Sequence, residues 1–314
     1  MTAAAAVTGW GGALPTHVVT NDEYEALLDT SDEWIVERTG IHERRIGGTV
    51  GELSIEAGRL ALDRAQLDPA AVELLILATT TPDQTMPATS ARVHGALGLS
   101  GGAYDLNAAC SGFVYGLFAA YGAITSGVVS RVLLIGSDVM TTIVDPTDRS
   151  TAVLFGDGAG AVVIEARATG LGLEDRFLGW DLGVDASART LLQAELGGTI
   201  TMEGKEVYRR AVRATVDSAT AALKRSACSP DDIALFVPHQ ANLRIIEAVA
   251  DRIGIPMERT AVMVDRTGNT SAASIPLALA EAADTGRIGD GDAVLVSGFG
   301  AGMTWASTVV RWGS

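Results

Sequence analysis

The sequence predicts an α/β protein made of two duplicated halves, and three observations carry that prediction. Short, continuous apolar runs alternate with longer stretches spaced like helices, the pattern of a sheet covered by helices. The second half resembles the first at an offset of about 160 residues. Composition adds the third: 36 glycines and 9 prolines in 314 residues imply many turns, and a 47% hydrophobic content supplies a large core. A repeat this long means duplicated domains and not a solenoid. The halves are placed at 1–165 and 166–314, with mostly parallel sheets. In such sheets ligands gather at the carboxyl ends of strands.

In order, residues 1–20 read as a strand and turn, and residues 21–28 as a short helix. Thr30-Ser-Asp-Glu33 fits a capping box for a helix over Trp34–Arg38, stopped at Thr39-Gly40. Residues 54–65 have helical spacing. Leu74–Thr79 and Arg131–Gly136 are short and apolar, as buried strands are. Between them, Leu106 to Ser130 carries no charge. Its length raises a membrane span, but its asparagine, serines, threonine and glycines fit a helix buried on all sides within the protein. Phe155-Gly-Asp-Gly-Ala-Gly160 reads as a structural turn before a strand, since it lacks the Lys-Ser/Thr of a phosphate-binding loop. Residues 165–200 read as an irregular crossover. A long helix follows from Glu206 to about Ser226.

The repeat is seen in three pairs. Pro69-Ala-Ala-Val-Glu-Leu-Leu-Ile-Leu77 matches Pro230-Asp-Asp-Ile-Ala-Leu-Phe-Val237. Arg131-Val-Leu-Leu-Ile135 matches Asp292-Ala-Val-Leu-Val296. The turn and helix at Cys110 match Asn269-Thr-Ser-Ala-Ala-Ser-Ile275.

A net charge of −15 works against binding nucleic acid or anionic membranes. The first residues have no basic region and read as a strand, not a signal peptide. Two cysteines, Cys110 and Cys228, give no disulfide framework, which points to a reducing cytoplasm. Four scattered histidines and no Cys-x-x-Cys pair argue against a metal site.

The chemistry centres on three turns. Cys110 is flanked by small residues and precedes a helix, where unpaired N–H groups and the dipole favour a nucleophilic thiolate. Buried cysteines are also common as inert core residues. His239 follows the strand Ile233–Val237, and Asn269 lies on the turn that matches Cys110. Each alone suits a structural duty, the histidine as a hydrogen-bonded core residue and the asparagine as a cap or turn. Together, on related turns, they suggest a nucleophile with two polar assistants. The terminal cluster Gly298-Phe-Gly-Ala-Gly-Met-Thr-Trp305 could bring a backbone N–H near Cys110 and complete an oxyanion hole.

These residues resemble a known family, β-ketoacyl-[acyl carrier protein] synthase III of the thiolase-like superfamily. The match runs through essentially the whole chain. It rests on Thr30-Ser-Asp-Glu-Trp-Ile-Val-Glu-Arg-Thr-Gly-Ile41, Asn107-Ala-Ala-Cys-Ser-Gly-Phe113, Asp145-Pro-Thr-Asp-Arg149, Phe155-Gly-Asp-Gly-Ala-Gly160, Pro238-His-Gln-Ala-Asn-Leu-Arg-Ile-Ile246 and Gly268-Asn-Thr-Ser-Ala-Ala-Ser274. The resemblance implies a five-layered αβαβα fold in a homodimer, with acyl-CoA and acyl carrier protein as partners and no cofactor. It implies that Cys110 takes an acyl group from acyl-CoA, and that malonyl-acyl carrier protein then loses carbon dioxide and attacks it. Decarboxylation falls to His239 and Asn269, and the oxyanion hole to the backbones of Cys110 and Ala301. Trp34, Arg38, Arg149 and Asn242 correspond to CoA-binding positions. Met86, Leu191, Leu192 and Phe299 correspond to the acyl pocket, with Met86 acting across the dimer. Arg209 and Arg244 correspond to carrier-protein docking positions.

The chain departs from the family's pattern at Gly300-Ala-Gly302, where three glycines are common, and at Asp251, where a docking lysine is often found. Two other readings stand beside initiation of fatty acid synthesis. One is a polyketide or secondary-metabolite starter synthase, or an acyltransferase, of the same fold. The other is a non-catalytic partner subunit, which the intact cysteine motif disfavours.

Overall fold

The computed structural model describes residues 4–167 and 175–313. Its first sheet contains β1 (Ala4–Ala13), β2 (Leu74–Ala78), β3 (Gly102–Leu106), β4 (Arg131–Val139) and β5 (Asp157–Arg167), in the order β1-β5-β4-β2-β3. The second contains β6 (Phe177–Val184), β7 (Leu235–Pro238), β8 (Ala293–Gly300) and β9 (Thr304–Arg311), in the order β7-β8-β9-β6.

Both sheets are mixed, which corrects the expectation of mostly parallel pairing. The β2–β3, β2–β4 and β7–β8 pairs are parallel. The β1–β5, β4–β5, β8–β9 and β9–β6 pairs are antiparallel. For the β8–β9 pair the physical reason lies in the connection. A tight turn between Gly300 and Thr304 can only reverse the chain, whereas the parallel pairs are joined through helices.

The helices used below are α1 (Asp32–Thr39), α2 (Val50–Ala65), α3 (Thr89–Leu97), α4 (Gly112–Thr125), α5 (Gly204–Arg225), α6 (Leu243–Ile253) and α7 (Ser274–Asp284). α4 and α7 lie between the two sheets and share one core with β4, β5, β7 and β8. α2 covers the outer face of the first sheet, and α5 that of the second. The result is the five-layered αβαβα stack. It accounts for much of the uncharged stretch around Cys110, since α4 is largely covered by the sheets, but one side stays open at Phe118, 45% exposed, which corrects the expectation of a helix buried on all sides.

Several local expectations change. The cap of α1 is Ser31, whose Oγ accepts the N–H of Trp34 at 3.1 Å. The helix stops at Gly40, which adopts a left-handed φ of 73°. The 156–160 glycines do not form a turn. From Asp157 they run within β5, because α7 passes close over it. A Cβ on Gly160 would lie 2.6 Å from the backbone N of Leu277. The 165–200 region is not simply irregular either. Part of it, residues 168–174, lies outside the described residues, but β6 pairs along β9. Its glycines hid the strand. A Cβ on Gly183 would sit 2.3 Å from the Trp305 ring, so close packing excludes the side chains that mark a strand.

The first sheet and the central layer are tied by one carboxylate. Asp138, fully buried at the end of β4, receives the hydroxyls of Thr79, Thr80 and Thr81 and the N–H groups of Thr80 and Thr81 at Oδ1. Its Oδ2 receives the N–H of Ala272, just before α7, at 3.0 Å. Removing the acceptor strands these donors in a dry interior. Asp138→Ala should therefore lower the stability by about 3 kcal/mol or more, read as a shift of the urea unfolding midpoint. A change under about 0.5 kcal/mol would show that the network carries no load.

Candidate active site

Cys110 sits on a one-turn 3-10 segment, Ala109–Ser111, that leads into α4. Ala109 holds a positive φ of 48°, an uncommon state for a residue with a Cβ. The turn before α7 repeats this conformation. Ser271 has φ 51°, and the Oδ1 of Asn269 accepts the N–H of Ser271 at 2.9 Å. In the first turn, the Oδ1 of Asn107 accepts the N–H of Ala109 at 3.1 Å. The two asparagines make the same local bond, and Ala272 stands where the other turn has Cys110.

His239 follows β7. Its Nδ1 lies 2.7 Å from the hydroxyl of Ser274, and its ring meets Phe299 edge-on at 5.5 Å. Cys110, His239, Asn269 and Phe299 all line one cavity of about 590 Å3. The carboxamide oxygen of Asn269 is held by Ser271, so its NH2 is the end free to donate. The floor of the cavity is closed by Gly300. A Cβ there would lie 2.6 Å from the backbone N of Cys110, so a glycine is required for this approach. Ala301, the next residue, is half-buried in the hairpin between β8 and β9.

Burial dominates the electrostatics. It pushes the Cys110 thiol up to about 12, partly opposed by the hydroxyl of Ser271 and by a backbone N–H. The sequence argument for a ready thiolate is thus corrected, because desolvation outweighs the helix end. The same burial pushes the His239 imidazole down to about 3, so the ring is neutral at physiological pH.

The mouth of the cavity carries Trp34, Arg38, Asn242 and Arg244. The guanidiniums of Arg38 and Arg149 lie 4.9 and 4.8 Å from the Trp34 ring, and Arg149 also donates to the carbonyl of Asp29. Asn242 caps α6 by accepting from the N–H of Arg244 at 2.9 Å and donates to the carbonyl of Arg38 at 2.9 Å. Its polar atoms therefore hold the mouth together. Leu192 lines the cavity, but Leu191 is half-buried behind it, in the core under α5. Met86 is 82% exposed and does not line the cavity of its own chain. Arg209 is exposed outside it and paired to Glu206 at 2.8 Å. Cys228 lies in a separate cleft, half-buried, donating to the carbonyl of Ser226.

Sequence reasoning missed Met202, Tyr208, Ser271 and Ser274. The serines lay in view inside the 268–274 motif, but their neighbours could not be known from sequence. Among the described residues, no group of three or more His, Cys, Asp or Glu side chains could hold a metal, and no helix is long and apolar enough to cross a membrane.

Known proteins resemble this chain in sequence and fold. A family model for 3-oxoacyl-[acyl-carrier-protein (ACP)] synthase III matches residues 104–185, and the model of its C-terminal part matches residues 223–312. The beta-ketoacyl-[acyl-carrier-protein] synthase III of Roseiflexus sp. (strain RS-1) is 48% identical, over 98% of this chain and 98% of its own. The crystal structure of 3-oxoacyl-[acyl-carrier-protein] synthase III from Aquifex aeolicus VF5 superposes with a TM-score of 0.94 at 42% identity, covering 98% of this chain and 100% of that one. The priming beta-ketosynthase from the R1128 polyketide biosynthetic pathway gives a TM-score of 0.95 at 34% identity, covering 100% of this chain and 97% of its own.

The depressed histidine has a measurable consequence. Its folded value lies below its unfolded value of about 6.5, so its contribution to stability is present above that pH and is lost as pH falls towards about 3. Over that window it should remove about 1.4 kcal/mol per pH unit. His239→Gln should flatten the acid limb of the stability curve by about one proton, read by denaturant titrations at several pH values. An unchanged slope would mean that the imidazole is not held neutral.

Proposed function

The chain belongs to the β-ketoacyl-[acyl-carrier-protein] synthase III family, and from that premise we propose how its residues perform the family's condensation. It is a condensing acyltransferase, and its reaction starts a fatty acid chain. The Cys110 sulfur attacks the thioester carbonyl of an acyl-CoA. A new C–S bond forms, the bond to CoA breaks, and the CoA thiol leaves. Malonyl-acyl carrier protein then enters. Its carboxylate leaves as carbon dioxide, and the electron pair passes onto the malonyl thioester oxygen as an enolate. His239 and the NH2 of Asn269 donate hydrogen bonds to that oxygen. The α-carbon attacks the acyl-Cys110 carbonyl. The backbone N–H groups of Cys110 and Ala301 hold the resulting oxyanion, and its collapse releases 3-oxoacyl-acyl carrier protein and the Cys110 thiolate.

The observation that carries this reading is the single cavity shared by Cys110, His239 and Asn269, with Trp34 and arginines at its mouth. A flat indole beside guanidiniums suits the adenine and phosphates of CoA, giving roles to Trp34, Arg38 and Arg149. Asn242 shapes the passage between. Phe299 and Leu192 border the acyl group, with Leu191 backing Leu192 and Met86 reaching the pocket of a second copy. Arg244 and Arg209 receive the acidic carrier protein locally, against the overall negative charge. The chemistry needs no metal or cofactor, since donors stabilise the enolate directly. Two unpaired cysteines fit a cytoplasmic setting.

We read residues 1–165 and 166–314 as duplicated units, supported by the matched Asn107 and Asn269 turns. The working form is a homodimer. β3 is an edge strand with an exposed outer half that includes Tyr104, a surface suited to pairing with another copy. Light scattering should give twice the 32.4 kDa chain mass; a monomer at working concentration would refute it. The likeness to the R1128 priming synthase supports a second reading, polyketide chain initiation by the same chemistry.

A panel of acyl-CoAs followed by intact-mass measurement tests the reading and reports the acyl preference. Cys110→Ala should abolish the adduct; an undiminished adduct would move the nucleophile elsewhere, with Cys228 the remaining thiol. His239→Ala should keep acyl loading while decarboxylation falls by about 100-fold or more. Equal loss of both would contradict its role.

A further inference from the structure

Ser274 is the first residue of α7 and is 2% exposed. Its Oγ lies 2.7 Å from Nδ1 of His239 and 3.3 Å from the backbone N of Gln240. The N–H of Gln240 can only donate, so the oxygen accepts on that side. Among the described residues, the other hydrogen bond Ser274 makes through its side chain is the one to Nδ1. If Nδ1 carried a hydrogen, two N–H groups would point at one oxygen. The serine's own proton would then be buried without an acceptor. Buried polar hydrogens are seldom left so. The balanced arrangement has the Ser274 hydroxyl donating to Nδ1. A neutral imidazole carries one ring proton, and that proton is then on Nε2, across the ring.

We propose that Ser274 is a positioning residue that fixes His239 as the Nε2–H tautomer, making the imidazole a hydrogen-bond donor to the cavity and not a base for Cys110. The proposal deepens the condensation reading and rests on it for its activity measurements, but the tautomer itself stands on geometry. Burial keeps the ring neutral, so both nitrogens do not carry protons together. Edge-on contact with Phe299 limits rotation of the ring. Asn269 offers the same polarity, because its oxygen is held by the N–H of Ser271 and its NH2 is free. One short segment, Asn269 to Ser274, therefore turns two donors towards the same space. A nucleophile beside it loses its proton without help from the imidazole. In the acyl-transfer step, that proton ends on the released CoA thiol.

Nitrogen-15 spectra of the full chain test the assignment directly, since the protein has only 4 histidines. The His239 signals are identified by their loss in His239→Gln. The wild type should show a single Nε2–H tautomer that does not titrate between about pH 5 and 8. In Ser274→Ala, the spectrum should move to mixed or Nδ1–H tautomers. Decarboxylation of malonyl-carrier protein should fall by about 10–100-fold, while acyl loading by intact mass stays within about twofold of wild type. Ser274→Cys, close in size and a weaker donor, should fall between the two and serves if the alanine variant does not fold. An Nδ1–H signature in the wild type overturns the proposal, and so does an unchanged tautomer in both variants. A correct tautomer in a protein that accepts no acyl group would instead sink the condensation reading and leave this assignment standing.

Discussion

Asp138 is the contact on which the active-site geometry depends. A carboxylate with no exposed surface is costly to desolvate and persists only where donors surround it. Here one oxygen gathers the Thr79–Thr81 turn at the end of β2, and the other holds the N–H of Ala272. The first sheet thereby clamps the turn that carries Asn269 and Ser271 and begins α7. Gly136, two residues earlier on β4, allows that approach. A Cβ at this position would lie 2.2 Å from the carbonyl of Ala272. The clamp holds Ala272, two residues before the Ser274 whose hydroxyl meets His239, so a carboxylate of the first half supports the turn that the imidazole of the second half rests on.

The five-layered stack also sets the chemistry of the site. Placing both central helices between sheets buries Cys110, His239 and Asn269. One cause then shifts two groups in opposite directions, the thiol up to about 12 and the imidazole down to about 3. Both shifts favour the neutral form. A cavity lined by fixed N–H donors strengthens the hydrogen bonds made to a charge that appears during reaction, with little reorganisation. The arrangement suits charge that develops on substrate oxygens better than charge stored on the resting enzyme.

The outside of the molecule follows a different logic. A net charge of −15 repels acidic partners at long range, yet Arg38, Arg149 and Arg244 crowd the cavity mouth. At close range these planar cations, with Trp34 beside them, dominate the local potential. Arg209, further out, is paired to Glu206 at 2.8 Å. Arg244 has no ion pair among those formed by the described residues and lies 5.7 Å from the Tyr208 ring.

Much of this was legible in the chain alone. Apolar runs separated by helical spacing mark strands and helices because burial imposes that periodicity, and the repeat near 160 residues reveals two related units. The uncharged segment after Cys110 marks a helix of the central layer, though not one enclosed on all sides, and the motifs around Cys110, His239 and Asn269 pick out residues that the fold brings to one cavity. Strand direction was not legible, because a buried strand looks the same whichever way its neighbour runs. β6 was obscured by glycines that exist to admit Trp305 and α5. The state of the thiol was misjudged because helix position is local, whereas desolvation is summed over both sheets. Sequence determined which residues are present at the site, since their identities and local turns are written in short motifs. Tertiary structure alone decided their protonation, their hydrogen-bond partners and the common cavity, because those depend on atoms brought together from distant parts of the chain.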